Sequence, residues 1–128
     1  MAEYFGTSVE AIFNTMPERF RPEKVQDVDV VIGYDITGDG GGKWLVSIKA
    51  GTLNVEKIDG DFPSCSVLVT AGAETFVGGT LGKIDLGTAM AGGKFKVNGD
   101  ITVMTNIVPA AFKKFKVAGD EKQAEELI

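Results

Sequence analysis

From Val28 onward the apolar residues recur at every second position: Val28, Val30, Ile32, Tyr34 and Ile36 share one face, alternating with Asp27, Asp29, Val31, Gly33 and Asp35. A period of two predicts a strand with one buried side. The run Gly38-Asp39-Gly40-Gly41-Gly42 supplies a turn, after which Trp44, Val46, Ile48 and Ala50 resume the alternation, so the two segments are expected to form a hairpin. Gly51 permits a reversal into Leu53-Asn54-Val55-Glu56, and Asp59-Gly60-Asp61-Phe62-Pro63 leads to a fourth strand at Cys65-Ser66-Val67-Leu68-Val69-Thr70. The expected arrangement of these four strands is an antiparallel meander. A short fifth strand is expected at Phe95-Lys96-Val97.

Helical spacing flanks this pattern. Thr7 or Ser8 can cap a helix in which Val9, Ile12, Phe13, Met16 and Phe20 form one face, with Pro17 kinking or ending it. After Gly72 the spacing predicts a short helix over Ala73–Leu81 that buries Phe76, Val77 and Leu81 and stops at Gly82. Asp85 caps a second short helix through Met90, which Gly92-Gly93 ends. Asp100 caps the last helix, where Ile101, Met104, Val108, Ala111 and Phe115 step by three and four while Ile107 and Phe112 widen the stripe. Pro109 has no N–H for the Thr105 carbonyl, so a kink or a break is expected there. With no internal repeat and no linker, residues 1–128 read as a single domain with its core at about 9–116 and a charged, solvated tail at 117–128.

Composition narrows what such a chain can do. Hydrophobic residues make up 44% of its 128 residues, with eight Phe, which supports a globular core. Thirteen Lys+Arg against eighteen Asp+Glu give a formal net charge of −5, so the electropositive surface that nucleic acids select is lacking. The sequence has no His, which removes the His-dependent nucleophile systems, HExxH metal sites and the commonest base near neutral pH. Cys65 is the single cysteine, which excludes an intrachain disulfide and any multi-thiolate metal site. No apolar run approaches the roughly 20 residues that span a bilayer, and Met1–Asn14 lacks a basic start followed by an apolar stretch. A cytoplasmic protein without a transmembrane segment is expected.

The chemical motifs fail on spacing. Gly42-Lys43, Gly82-Lys83 and Gly93-Lys94 lack the earlier glycine of a phosphate loop, where Thr37, Val77 and Thr88 stand, and lack the Ser or Thr after the lysine. Asp35-Ile36-Thr37-Gly38-Asp39-Gly40 imitates a calcium loop, but the twelfth position, which needs a bidentate Glu, is Val46. Asp59/Asp61 and Glu125/Glu126 lie in a turn and a charged tail, and Cys65 lies in a strand with no base to activate it. No catalytic residue, metal ligand or cofactor site is assigned.

What remains is apolar. Phe76, Leu81, Ile84, Leu86 and Met90 lie on or between the short helices, with Phe95 on the adjoining strand. The last helix adds Ile101, Met104, Ile107, Val108, Phe112 and Phe115. Facing a small sheet, these residues pack a solid core or wall a cavity for an apolar ligand, and periodicity does not separate filled from hollow. Lys113 and Lys114 are candidates to meet a carboxylate or phosphate at the mouth of such a cavity, or else form a solvated helix face.

In order along the chain stand Met16-Pro17-Glu18-Arg19-Phe20, Val31-Ile32-Gly33-Tyr34-Asp35-Ile36-Thr37-Gly38, Gly42-Lys43-Trp44, and Ala73-Glu74-Thr75-Phe76 with Gly82. Gly93-Lys94-Phe95-Lys96-Val97-Asn98-Gly99-Asp100 follows, similar to a GKLKxxGD segment. This series resembles the sterol carrier protein 2 (SCP2) domain family, especially its stand-alone prokaryotic members, over about residues 9–116. The resemblance implies an α+β sandwich, with a five-stranded, mainly antiparallel sheet covered on one face by helices and a hydrophobic tunnel between them. It implies no catalytic residues and no cofactor, and a lipid partner: fatty acid, fatty acyl-CoA, sterol or phospholipid, with transient membrane contact. The alternative it carries is a non-catalytic accessory or dimerisation module that presents lipidic substrates to an enzyme. Such a module, monomer or homodimer, would use an edge strand or the Trp44 region as its interface. The chain departs from the family in having Met90 where Phe is frequent, Pro109 in the last helix, and an ending Glu126-Leu127-Ile128 unlike a Ser-Lys-Leu peroxisomal signal.

Overall fold

The computed structural model describes residues 2–115. The charged tail expected at 117–128 lies outside the described residues. Alternation produces five strands: β1 (Asp29–Thr37), β2 (Gly42–Lys49), β3 (Thr52–Ile58), β4 (Val67–Gly72) and β5 (Phe95–Gly99). They form a single sheet in the order β3-β2-β1-β4-β5. β1 with β2, β2 with β3, and β4 with β5 pair antiparallel, so the sheet is mainly antiparallel.

The meander expected for the first four strands stops after β3. β4 does not pair with β3; it crosses to the other side of β1 and runs parallel to it, with Ile32 opposite Val67 and Tyr34 opposite Val69. The crossing segment packs on the outer face of the sheet. An added Cβ on Gly33 would meet Leu68 Cδ1 at 2.9 Å, Phe62 Cδ1 at 3.0 Å and Cys65 Sγ at 3.2 Å, so this glycine admits the loop. Lys43 Nζ donates to Gly60 O at 2.9 Å, and Ser66 N donates to Val31 O at 2.8 Å, delivering the chain to the edge of β1. Alternation alone does not encode this crossing, because it identifies strands without stating their neighbours.

On the other face, Ile32, Tyr34 and Ile36 of β1, Trp44, Val46 and Ile48 of β2, and Val67, Val69 and Ala71 of β4 are all buried. The helices cover this face. Ser8 caps α1 (Val9–Asn14), its Oγ accepting from Ala11 N at 3.1 Å. Thr15 ends α1, and α2 (Met16–Arg19) starts anew with Pro17 in its first turn, the interruption expected of that proline. Phe13 of α1 stacks between Trp44 (4.6 Å, 8°) and Phe76 (5.2 Å, 4°) and meets Tyr34 edge-on at 5.1 Å. Trp44 is only 5% exposed, so the Trp44 region is core and not a surface for a partner.

α3 (Ala73–Thr80) follows β4 directly, and α4 (Leu86–Ala91) is capped by Asp85, whose Oδ1 accepts from Gly87 N at 3.0 Å. The last helix departs from expectation. It contains a π-helical turn over Val103–Ile107, closed by Val108 N donating to Val103 O, and continues as α5 (Val108–Ala111). Pro109 therefore does not break it; the wider turn ahead of the proline takes up the mismatch. The helical run ends at Ala111 rather than Phe115, and Phe112 leaves it extended.

Candidate functional site

Between the helix-covered face of the sheet and the helices lies a cavity of about 740 Å³, inside the roughly 300–1,000 Å³ span of small-molecule sites. Each covering element contributes to its wall. Ile12 comes from α1, Met16 and Arg19 from α2, and Arg21 follows. β1 contributes Tyr34, α3 contributes Phe76, Gly79 and Thr80, α4 contributes Leu86, and β5 contributes Phe95. Met104, Val108 and Pro109 come from the last helix, and Phe112, Lys113, Lys114 and Phe115 from the segment after it.

The structure thus brings Phe76, Leu86, Phe95, Met104, Val108, Phe112 and Phe115 together around one cavity. Leu81, Ile84 and Ile107 do not line it and pack as partly buried residues against the core. Met90 (39% exposed) and Ile101 (45% exposed) face outward. The π turn explains Ile101: one extra residue in the turn rotates the residues ahead of it relative to those behind, and Val103 becomes the buried residue instead. Ile84 is drawn elsewhere by Gly78, because a Cβ there would collide with the Ile84 side chain. Gly79 serves Leu86 in the same way and lets α4 close against α3.

Sequence reasoning named Lys113 and Lys114, which line the cavity, but missed Arg19, Arg21 and Tyr34. Arg19 and Arg21 flank Phe20, which bridges in antiparallel fashion to Phe112, with ring centroids 5.7 Å apart. Arg21 N donates to Ala111 O and Lys113 N donates to Arg19 O, both at 2.7 Å. Nη2 of Arg21 donates to Pro109 O at 2.8 Å and to Phe112 O at 3.1 Å, while its Nε is buried without an acceptor. Arg19 donates through Nη2 to Ile12 O at 2.8 Å, through Nη1 to Lys113 O at 3.2 Å and through Nε to Thr15 Oγ1 at 3.4 Å. Its guanidinium also lies 5.1 Å from the Phe115 ring. Burial lowers the Arg19 pKa, opposed in part by Tyr34 and Glu18. None of these acceptors is a carboxylate. With the exposed Lys113 and Lys114 they make one side of the cavity cationic. The usable signal was Arg19 falling three residues after Met16 and seven after Ile12, on the same helical face.

Cys65 stands apart from this wall. Burial pushes its thiol pKa up, and Sγ donates to Pro63 O at 3.2 Å. Among the described residues no group of three His, Cys, Asp or Glu side chains could hold a metal ion, and no helix is long and apolar enough to cross a membrane.

Fold and site define the class: an α+β protein whose single open sheet and helices enclose an apolar cavity with a cationic side. The family model of the SCP-2 sterol transfer family matches residues 13–112, and the chain belongs to that family. No curated protein matches it by sequence. Among solved structures, a sec-alkyl sulfatase variant aligns with 19% identity and a TM-score of 0.71, over 86% of this chain and 18% of that one. The stereoselective inverting sec-alkylsulfatase Pisa1 from Pseudomonas sp. aligns at 20% identity and a TM-score of 0.68, covering 82% of this chain and 16% of that one; this chain therefore spans under a fifth of these two proteins. Palmitated sterol carrier protein 2-like 2 from Aedes aegypti is 26% identical with a TM-score of 0.59, over 84% of this chain and 99% of that one. Apo sterol carrier protein 2 from Yarrowia lipolytica is 16% identical with a TM-score of 0.61, over 87% and 97%.

Proposed function

We propose that this chain is a non-catalytic lipid carrier that holds the hydrocarbon tail of a fatty acid or fatty acyl-CoA in the cavity, with sterols and phospholipids as further candidate ligands. The carrying observation is the cavity itself: about 740 Å³, walled by Phe76, Leu86, Phe95, Met104, Val108 and Phe112, with Arg19, Arg21, Lys113 and Lys114 on one side. Each buried methylene contributes about 0.8 kcal/mol, so a long chain binds without a specific polar contact. The cationic side favours ligands with an anionic head. The palmitated state of the Aedes aegypti relative supports the same reading. In this reading the carrier works in the cytoplasm and meets membranes transiently to load and release.

Native mass spectrometry of gently purified protein, paired with titration of a fluorescent fatty acid, tests it. A co-purified lipid mass or saturable uptake is expected. Neither appearing would sink the carrier reading.

A second reading, to which the fold shared with part of a sec-alkyl sulfatase gives a hint only, is a non-catalytic accessory or dimerisation module that presents lipidic substrates to an enzyme. In light scattering a stable homodimer, together with no lipid uptake, would select it over the carrier.

A further inference from the structure

Tyr34 is the odd residue on the cavity wall. It is 3% exposed and projects from the central strand β1, and its ring is fixed edge-on by Phe13 at 5.1 Å and Phe76 at 5.7 Å. Buried tyrosine hydroxyls ordinarily hydrogen-bond within the protein. Among the described residues this one has no such partner and its oxygen is not sealed off, so it opens onto the cavity that its ring lines. Thr80, the other hydroxyl on the wall, is already committed, donating to Phe76 O at 2.9 Å.

We propose, on the reading of the cavity as a lipid site, that the Tyr34 hydroxyl is its specificity element, donating a hydrogen bond to the carboxylate oxygen of a single-chain fatty acid. Two features select a carboxylate over a neutral oxygen. Near neutral pH the phenol is in any case a neutral donor that repels no anion, and burial, which raises its pKa, keeps it so. Arg19, on the same wall, acts on Tyr34 through its charge, and its acceptors use one N–H on each guanidinium nitrogen. Of the roughly five N–H groups that a guanidinium carries, the remainder, one on each terminal nitrogen, meet no acceptor among the described residues. Hydrogen bonds to an ionised acceptor are the strong kind, and a dry apolar wall strengthens them further. A hydrocarbon without an oxygen would leave the hydroxyl unsatisfied, which converts a general apolar cavity into one that prefers fatty acids.

The test compares the wild-type protein with Tyr34→Phe, which removes the oxygen and keeps the ring. Diphenylhexatriene, an apolar fluorophore without oxygen, reports cavity binding, and dodecanoate is titrated against it. Preference for dodecanoate over the fluorophore is expected to fall about tenfold or more in the variant. In the wild-type protein, with carboxyl-labelled dodecanoate, NMR is expected to show contacts between the Tyr34 ring protons and the methylene next to the carboxylate. This second measurement does not depend on how the variant folds. An unchanged preference, or contacts from that methylene only to residues away from Tyr34, would overturn the assignment while leaving the carrier reading intact. Failure of the wild-type protein to bind either molecule would overturn both.

Discussion

Phe13 shows how much one side chain holds. It is fully buried, stacked on both faces by Trp44 and Phe76, and it joins α1 to the sheet and to α3. Phe13→Ala is expected to cost about 3–5 kcal/mol in urea unfolding, because those rigid aromatic neighbours cannot close the void. Tyr34, on the same cluster, carries a pH dependence. Its folded pKa lies above the unfolded value of about 10, so between the two values the folded state holds the proton that the unfolded state loses. Its contribution is complete below about pH 10 and declines as pH rises toward the folded value, by up to about 1.4 kcal/mol per pH unit. Urea midpoints at pH 9 and pH 11 check this: the drop between them is expected to be smaller in Tyr34→Phe than in the wild-type protein. The burial of Phe13 and Tyr34 was legible from periodicity. The placement of Tyr34 on a cavity wall was not, since a strand period reports which face is covered and not whether the cover touches.

Among the elements, α1 is too short to persist alone, and its cap matters accordingly. Ser8→Ala removes the acceptor for Ala11 N and is expected to cost about 1 kcal/mol of stability by chemical denaturation, with Ser8→Asp restoring most of it. The segment after α5 depends on contacts from α2 and its exit. Arg21→Met deletes the two bonds to Pro109 O and Phe112 O. Hydrogen exchange at the Lys113 amide, which is bonded to Arg19 O, is then expected to accelerate relative to the amides of β1. Equal exchange in both proteins would show that the backbone bridge between Phe20 and Phe112 suffices. Caps and stops at Ser8, Asp85, Gly82 and Gly92 were readable because each acts within a few residues of its own element. The last helix was misread in phase and in length. Its π turn and its end at Ala111 answer to Pro109 and to the pull of Arg19 and Arg21, and those arginines lie some 90 residues away in the sequence.

For the molecule as a whole, the cavity is the property that counts, and it belongs to no single element. Met104→Trp places a large ring into it from the last helix. Uptake of a long-chain fatty acid is expected to weaken by the burial of two or three methylenes, about 2 kcal/mol, while the thermal midpoint holds or rises because the ring fills space instead of displacing core. Retained affinity in that variant would place the ligand elsewhere. Five strands, the short capped helices, the buried face of each strand and the absence of histidine chemistry were all determined by local order, since side-chain period, caps and turn glycines act between near neighbours in sequence. Residues matching a known family carried the fold class further than periodicity alone. Tertiary structure alone decided that β4 runs parallel beside β1, that Met90 and Ile101 face outward, and that Arg19, Arg21 and Tyr34 share a wall with Phe112 and Phe115. The physical reason is the same in each case: the outcome depends on which distant surfaces meet and how closely, and Gly33, Gly78 and Gly79 settle that by the side chains they make room for.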